Sequence, residues 1–107
     1  MTHKEVEAYI LSLANTRLDY PFGEDVAVYK VGEKMFALIS ENTQPLQISL
    51  KCDPQLSEIL REKYESVMPG YHLNKKHWNT IVLSGQLPWL EIEGLIRHSY
   101  ELVTKSH

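Results

Sequence analysis

A chain of 107 residues fits one domain and leaves no room for a second core. Apolar residues make up 43% and charged residues 23%, close to the globular average, and a net charge of −3 argues against a strongly basic nucleic-acid binder. No run approaches the ~18 consecutive apolar residues of a membrane span, and the polar start Met1-Thr2-His3-Lys4-Glu5 lacks the basic and apolar regions of a signal peptide.

Thr2, followed three residues later by Glu5, predicts a capping box that opens a helix. Val6, Tyr9, Ile10 and Leu13 then recur at helical spacing, and Asn15 is a reasonable stop. Tyr20-Pro21-Phe22-Gly23 reads as a turn-rich link from helix to sheet. Strand-like runs follow at 26–31, 34–40 and 46–51, the first two joined by Gly32-Glu33 as a hairpin turn. Asn42-Thr43-Gln44-Pro45 separates the second from the third. In the third run Leu46, Ile48 and Leu50 alternate with Gln47, Ser49 and Lys51, which predicts a sheet with one buried and one wet face.

Asp53-Pro54 joins an N-cap carboxylate to a proline at the first helical position, and Leu56, Ile59, Leu60 and Tyr64 form the apolar stripe of a second helix. A short extended piece at Val67-Met68 meets the turn Pro69-Gly70. Asn79 to Leu83 reads as a strand closed by Ser84-Gly85, and Pro88 opens a third helix with Trp89, Ile92, Leu95, Ile96, Ser99 and Val103 on or near its inner face. The order is α-β-β-β-α-β-β-α. Hairpin-length links exclude a parallel, doubly wound sheet, whose crossovers take about a dozen residues. The pattern therefore predicts a single α+β domain over 1–107, an antiparallel sheet with helices packed on one face.

The charge is uneven: residues 1–50 hold four Lys/Arg against seven Asp/Glu, and residues 51–107 hold seven of each. Any polyanion site is then a local patch, expected in the second half. That half contains Tyr71-His72-Leu73-Asn74-Lys75-Lys76-His77-Trp78. Its lysines attract phosphate as point charges, and Asn74 can donate to phosphate or to a base edge. Tyr71 and Trp78 could stack on exposed bases, with Lys51 reinforcing the loop from the wet sheet face. The competing reading is a solvated loop anchored by Trp78, which shares strand parity with Thr80 and Val82 and so favours core burial over stacking.

Other chemistry finds little support. His72 and His77 are five apart with Cys52 as a distant third candidate, but no CxxC pair, HExxH or tight His/carboxylate cluster accompanies them, so no metal is expected. Cys52 stands beside the Asp53 carboxylate, which disfavours a thiolate, and reads as a small buried cysteine at a strand end. As the single cysteine it has no internal disulfide partner, which points to a reducing compartment. Ser84-Gly85 is a turn and not a nucleophile elbow, and no Gly-rich phosphate loop is present. No enzyme activity, catalytic residue or cofactor is expected.

The run Met68-Pro69-Gly70-Tyr71-His72-Leu73-Asn74-Lys75-Lys76-His77-Trp78-Asn79-Thr80 resembles the signature of the MmcQ/YjbR family. Val28-Tyr29-Lys30-Val31 with Lys34-Met35-Phe36-Ala37, then Ser49-Leu50-Lys51-Cys52-Asp53-Pro54, and the closing stretch 95–103 follow in family order and carry the resemblance over nearly the whole chain. The resemblance implies a two-layer fold with a five-stranded antiparallel sheet in the order α-β(3)-α-β(2)-α. It also implies a likeness to proteins described as having a double-wing DNA-binding motif, in a cytoplasmic bacterial setting. The expectation is a small DNA-binding module with Lys51, Lys75 and Lys76 on phosphates and His72, Asn74 and His77 shaping the contact surface. The alternative is a protein- or small-ligand-binding module that uses the same segment and wet face without a nucleic-acid role.

Overall fold

A computed structural model describes residues 2–70 and 73–105. The elements are α1 (His3–Leu11), β1 (Thr16–Asp19), β2 (Val26–Val31), β3 (Lys34–Ser40), β4 (Gln47–Lys51), α2 (Pro54–Lys63), β5 (Val67–Pro69), β6 (Trp78–Val82) and α3 (Trp89–Thr104). The caps form as their spacing predicts. Glu5 N donates to Thr2 Oγ1 at 3.2 Å while Thr2 N donates to Glu5 Oε1 at 2.8 Å. Asp53 Oδ2 accepts from the amides of Gln55 and Leu56, each at 3.1 Å.

The strands make one antiparallel sheet in the order β1-β2-β3-β4-β6-β5. It has six strands, which corrects the expected five. The addition is β1, an edge strand paired from Thr16↔Val31 to Asp19↔Val28. Thr-Arg-Leu-Asp carries no clear alternation of its own. Asn15, in the left-handed region at φ 63, turns the chain after α1 and lays this segment along β2, so pairing with a neighbour decides what propensity does not. Between β2 and β3, Gly32 adopts φ 62 at the first turn position, as a tight hairpin requires.

The β2–β3 register steps from Tyr29↔Ala37 to Lys30↔Met35, which leaves Phe36 in a bulge. Phe36 and Ala37 are both fully buried in the main core. Ser99 on α3 repairs the ladder there: its Oγ donates to the Phe36 carbonyl at 2.5 Å and accepts from Lys51 N at 2.9 Å. Val6 and Ile10 of α1, Leu60 of α2 and Ile92, Ile96 and Val103 of α3 share that core with Ala27, Tyr29, Ile39, Ile48, Leu50 and Ile81 of the sheet. The helices therefore cover one face.

The opposite face is not the wet surface that the alternation of β4 predicts. Gln47, Ser49 and Lys51 do point there, but they are half-buried. Beside them lies a second apolar cluster of Val28, Leu38 and Trp78, flanked by Val26, Met35 and Leu73. The cause is local sequence: β2 and β3 carry apolar residues at both parities, so each supplies apolar side chains to both faces. Trp78, only 7% exposed, is buried as expected, but the parity it shares with Thr80 and Val82 puts it on this face, which corrects the expected core placement: it joins the second cluster and not the main core.

Candidate nucleic-acid interface

Between β5 and β6 the described chain resumes at Leu73; Tyr71 and His72 lie outside the described residues. Asn74 builds the turn that follows. Its Oδ1 accepts from Lys76 N at 2.9 Å, and its carbonyl accepts from His77 N at 3.2 Å and Trp78 N at 3.0 Å. The side-chain oxygen is thereby committed to the loop, which leaves the Nδ2 group as the part of Asn74 suited to an outside acceptor.

Three further contacts fix the loop. Gly70 N donates to the Trp78 carbonyl at 2.9 Å, and a Cβ at Gly70 would stand 2.7 Å from Trp78 Cβ, so the two backbones approach as closely as they do because residue 70 is glycine. Cys52 N donates to the His77 carbonyl at 2.8 Å and ties the loop to the end of β4. Arg61 on α2 donates through Nε to Asn79 Oδ1 at 2.7 Å and through Nη2 to the carbonyls of Lys75 and Trp78, the latter at 3.2 Å. Sequence reading placed Gly70 in a turn without foreseeing its close approach to Trp78, and it missed Arg61. Arg61 has no local signal, because its acceptors lie on a different element.

Lys51 stands opposite Trp78 in the β4–β6 register, on the helix-free face. Lys75 and Lys76 are exposed and precede Trp78 by three and two residues. The register thus brings Lys51 to the end of β6 that the loop bearing Lys75 and Lys76 enters. Lys30 is ion-paired with Asp19 at 3.2 Å and Arg17 with Glu33 at 3.3 Å, whereas Lys51, Lys75 and Lys76 make no ion pair with a described carboxylate. His77 is exposed in the same loop, while Trp78 is too buried to offer a ring face for stacking.

Cys52 is buried, and that burial pushes its thiol up, reinforced by the Asp53 charge against the opposing pull of Ser57 and Arg61. Among the described residues no group of three His, Cys, Asp or Glu side chains could hold a metal ion, and no helix is long and apolar enough to cross a membrane.

Comparison with known proteins places this geometry. The YjbR family profile matches residues 11–102. The Escherichia coli protein YbdF is 38% identical over 101 residues, spanning 94% of this chain and 83% of that protein. The crystal structure of Deinococcus radiodurans DR2400 matches with a TM-score of 0.93 at 40% identity, covering 98% of this chain and 80% of that one. A Pseudomonas syringae protein matches with a TM-score of 0.81 at 32% identity, covering 95% of this chain and 98% of its own. Sequence and fold agree over nearly the full length, and the chain belongs to the MmcQ/YjbR family.

Proposed function

We propose that this domain is a DNA-binding module that holds phosphates at the corner formed by Lys51, Lys75 and Lys76, and not an enzyme. The observation that carries the reading is the Lys51↔Trp78 pair, which brings the β4 lysine to the loop that bears the other two. Arg61 and the Cys52 amide already hold residues 75–78 of that loop through its carbonyls, which lowers the ordering cost of binding there. His77 and the Asn74 Nδ2 group adjoin the lysines as further donors. At a Debye length of about 10 Å, the acids elsewhere on a chain of net charge −3 are screened, and the local field governs contact. The reading agrees with the double-wing analogy carried by the family resemblance and with a cytoplasmic setting in which Cys52 stays reduced.

Fluorescence anisotropy with labelled duplex DNA, at about 50 and 200 mM salt, tests it. Binding should weaken with salt, and Lys75→Ala with Lys76→Ala should lower affinity and reduce the slope of log K against log salt by about 2. Absence of binding at low salt, or binding indifferent to the double substitution, overturns the reading. The protein- or small-ligand-binding alternative would then rest on the apolar groove of the same face.

A further inference from the structure

The helix-free face carries a groove of about 350 Å³ beside the lysine corner. Its apolar walls are Phe22, Val26, Leu38 and Leu73. Its floor is polar but uncharged: Ser49 and Thr80 are joined by a 2.8 Å hydroxyl–hydroxyl hydrogen bond across the β4–β6 pair. Ser40 and Gln47, opposite each other in the β3–β4 register, also line it, and neither side chain hydrogen-bonds to a described residue. The groove therefore offers an open carboxamide and an open hydroxyl within an otherwise apolar surface. Phe22 is 61% exposed, an unusual placement for a phenyl ring.

Charge is distributed unevenly about this groove. No ionisable side chain lines it. At one end Ser49 leads along the same strand face to Lys51, two residues on and ~7 Å away, with Lys75 and Lys76 in the loop beyond Leu73. Close in sequence to Phe22, at the other end, are the exposed acids Glu24 and Asp25. An occupant that suits both ends has a flat, neutral, hydrogen-bonding body toward Phe22 and an anionic group toward the lysines. A strand tracking the groove end to end would carry its phosphates to the acids, so one unit enters and the backbone stays at the corner.

We infer that the groove receives a single unpaired nucleobase, stacked on Phe22 and read at its edge by Gln47 and Ser40, while the lysines hold the adjoining phosphates. The inference rests on the DNA-binding reading and sharpens it from phosphate contact to preference for single-stranded or locally opened DNA. A base inside a duplex is stacked on both sides and paired through its Watson–Crick edge, so it cannot present its face to Phe22 or that edge to Gln47. Stacking then moves from Trp78, which is buried, to Phe22, which sequence reading placed in a connecting turn.

The test is anisotropy of the full chain with three labelled dodecamers: a single strand, a duplex of the same sequence, and a single strand of abasic sites carrying the same phosphates. The intact single strand should bind about tenfold more tightly than the abasic strand, a factor within the range for stacking of one base on an aromatic ring. Phe22→Ala should erase that difference and Phe22→Trp should keep it; neither should alter the fold, because the ring is largely in solvent. Gln47→Ala should change preference among bases more than overall affinity. If all three probes bind alike, respond to Lys75→Ala with Lys76→Ala and ignore Phe22→Ala, the base site is overturned while phosphate binding stands. If no probe binds at low salt, both proposals fall.

Discussion

Arg61 and Asn79, 18 residues apart on α2 and β6, share a 2.7 Å hydrogen bond that connects the second helix to the strand leaving the lysine loop. Asn79 is fully buried, and its Nδ2 group has no partner among the described residues, so Arg61 supplies the bond to the other end of the amide. Arg61→Met should lower stability by about 2 kcal/mol, the scale of a hydrogen bond to a charged group whose buried partner is left unpaired. Urea denaturation measures it. Arg61→Lys should rescue little, since a compact ammonium lacks the planar fork whose separate nitrogens reach Asn79 on one side and the Lys75 and Trp78 carbonyls on the other. Arg61→Met with Asn79→Leu should recover part of the loss by removing both partners.

Two glycines should respond in opposite directions. Gly70→Ala drives a methyl to 2.7 Å from Trp78 Cβ, an atom fixed to the backbone, and should cost about 1–3 kcal/mol. Gly94 lies in α3 with nothing within 4 Å of an added Cβ, and Gly94→Ala should stabilise by about 0.5–1 kcal/mol through helix propensity. Thermal or urea unfolding of the two variants decides the matter, and the same sign in both would contradict the packing account.

Ser99→Ala should destabilise more than a typical serine truncation. One hydroxyl serves both the Phe36 carbonyl at the bulge and the Lys51 amide at the end of β4, and it is completely buried. Its loss leaves two interior backbone groups unpaired, at about 1–3 kcal/mol each before relaxation. Hydrogen exchange at the Lys51 amide should accelerate in the variant relative to the central strands.

Tyr29 should make the protein sensitive to alkali. Its hydroxyl is raised well above the usual tyrosine range, first by burial and then by its 2.5 Å hydrogen bond to Glu7 Oε2. Above about pH 10 the unfolded chain releases this proton while the native state retains it, so the unfolded state binds fewer protons and stability falls as pH rises. The contribution is fully present below about pH 10 and declines by up to ~1.4 kcal/mol per unit above it. Tyr29→Phe should cost about 1 kcal/mol at neutral pH and narrow its deficit as pH climbs. Urea midpoints between about pH 9 and 11 compare the two proteins.

The sequence by itself determined the caps, the hairpin at Gly32-Glu33, the alternation of β4 and the three helices, because each depends on residues within a few positions of one another. It also carried the family, since the block from Met68 to Thr80 is contiguous, and it indicated that Trp78 is buried, though not that the burial is on the helix-free face. What only the tertiary structure decided were the relations between distant segments. β1 is a strand because β2 lies beside it, and the helix-free face is partly apolar because β2 and β3 supply apolar residues to both sides. Arg61 governs the loop through acceptors that α2 reaches only once it has packed, and Phe22 meets the sheet groove only after the chain has turned back on itself. Lys51 stands opposite Trp78 for the same reason: antiparallel register sets β4 against β6, and register is a property of the pair of strands and not of either one.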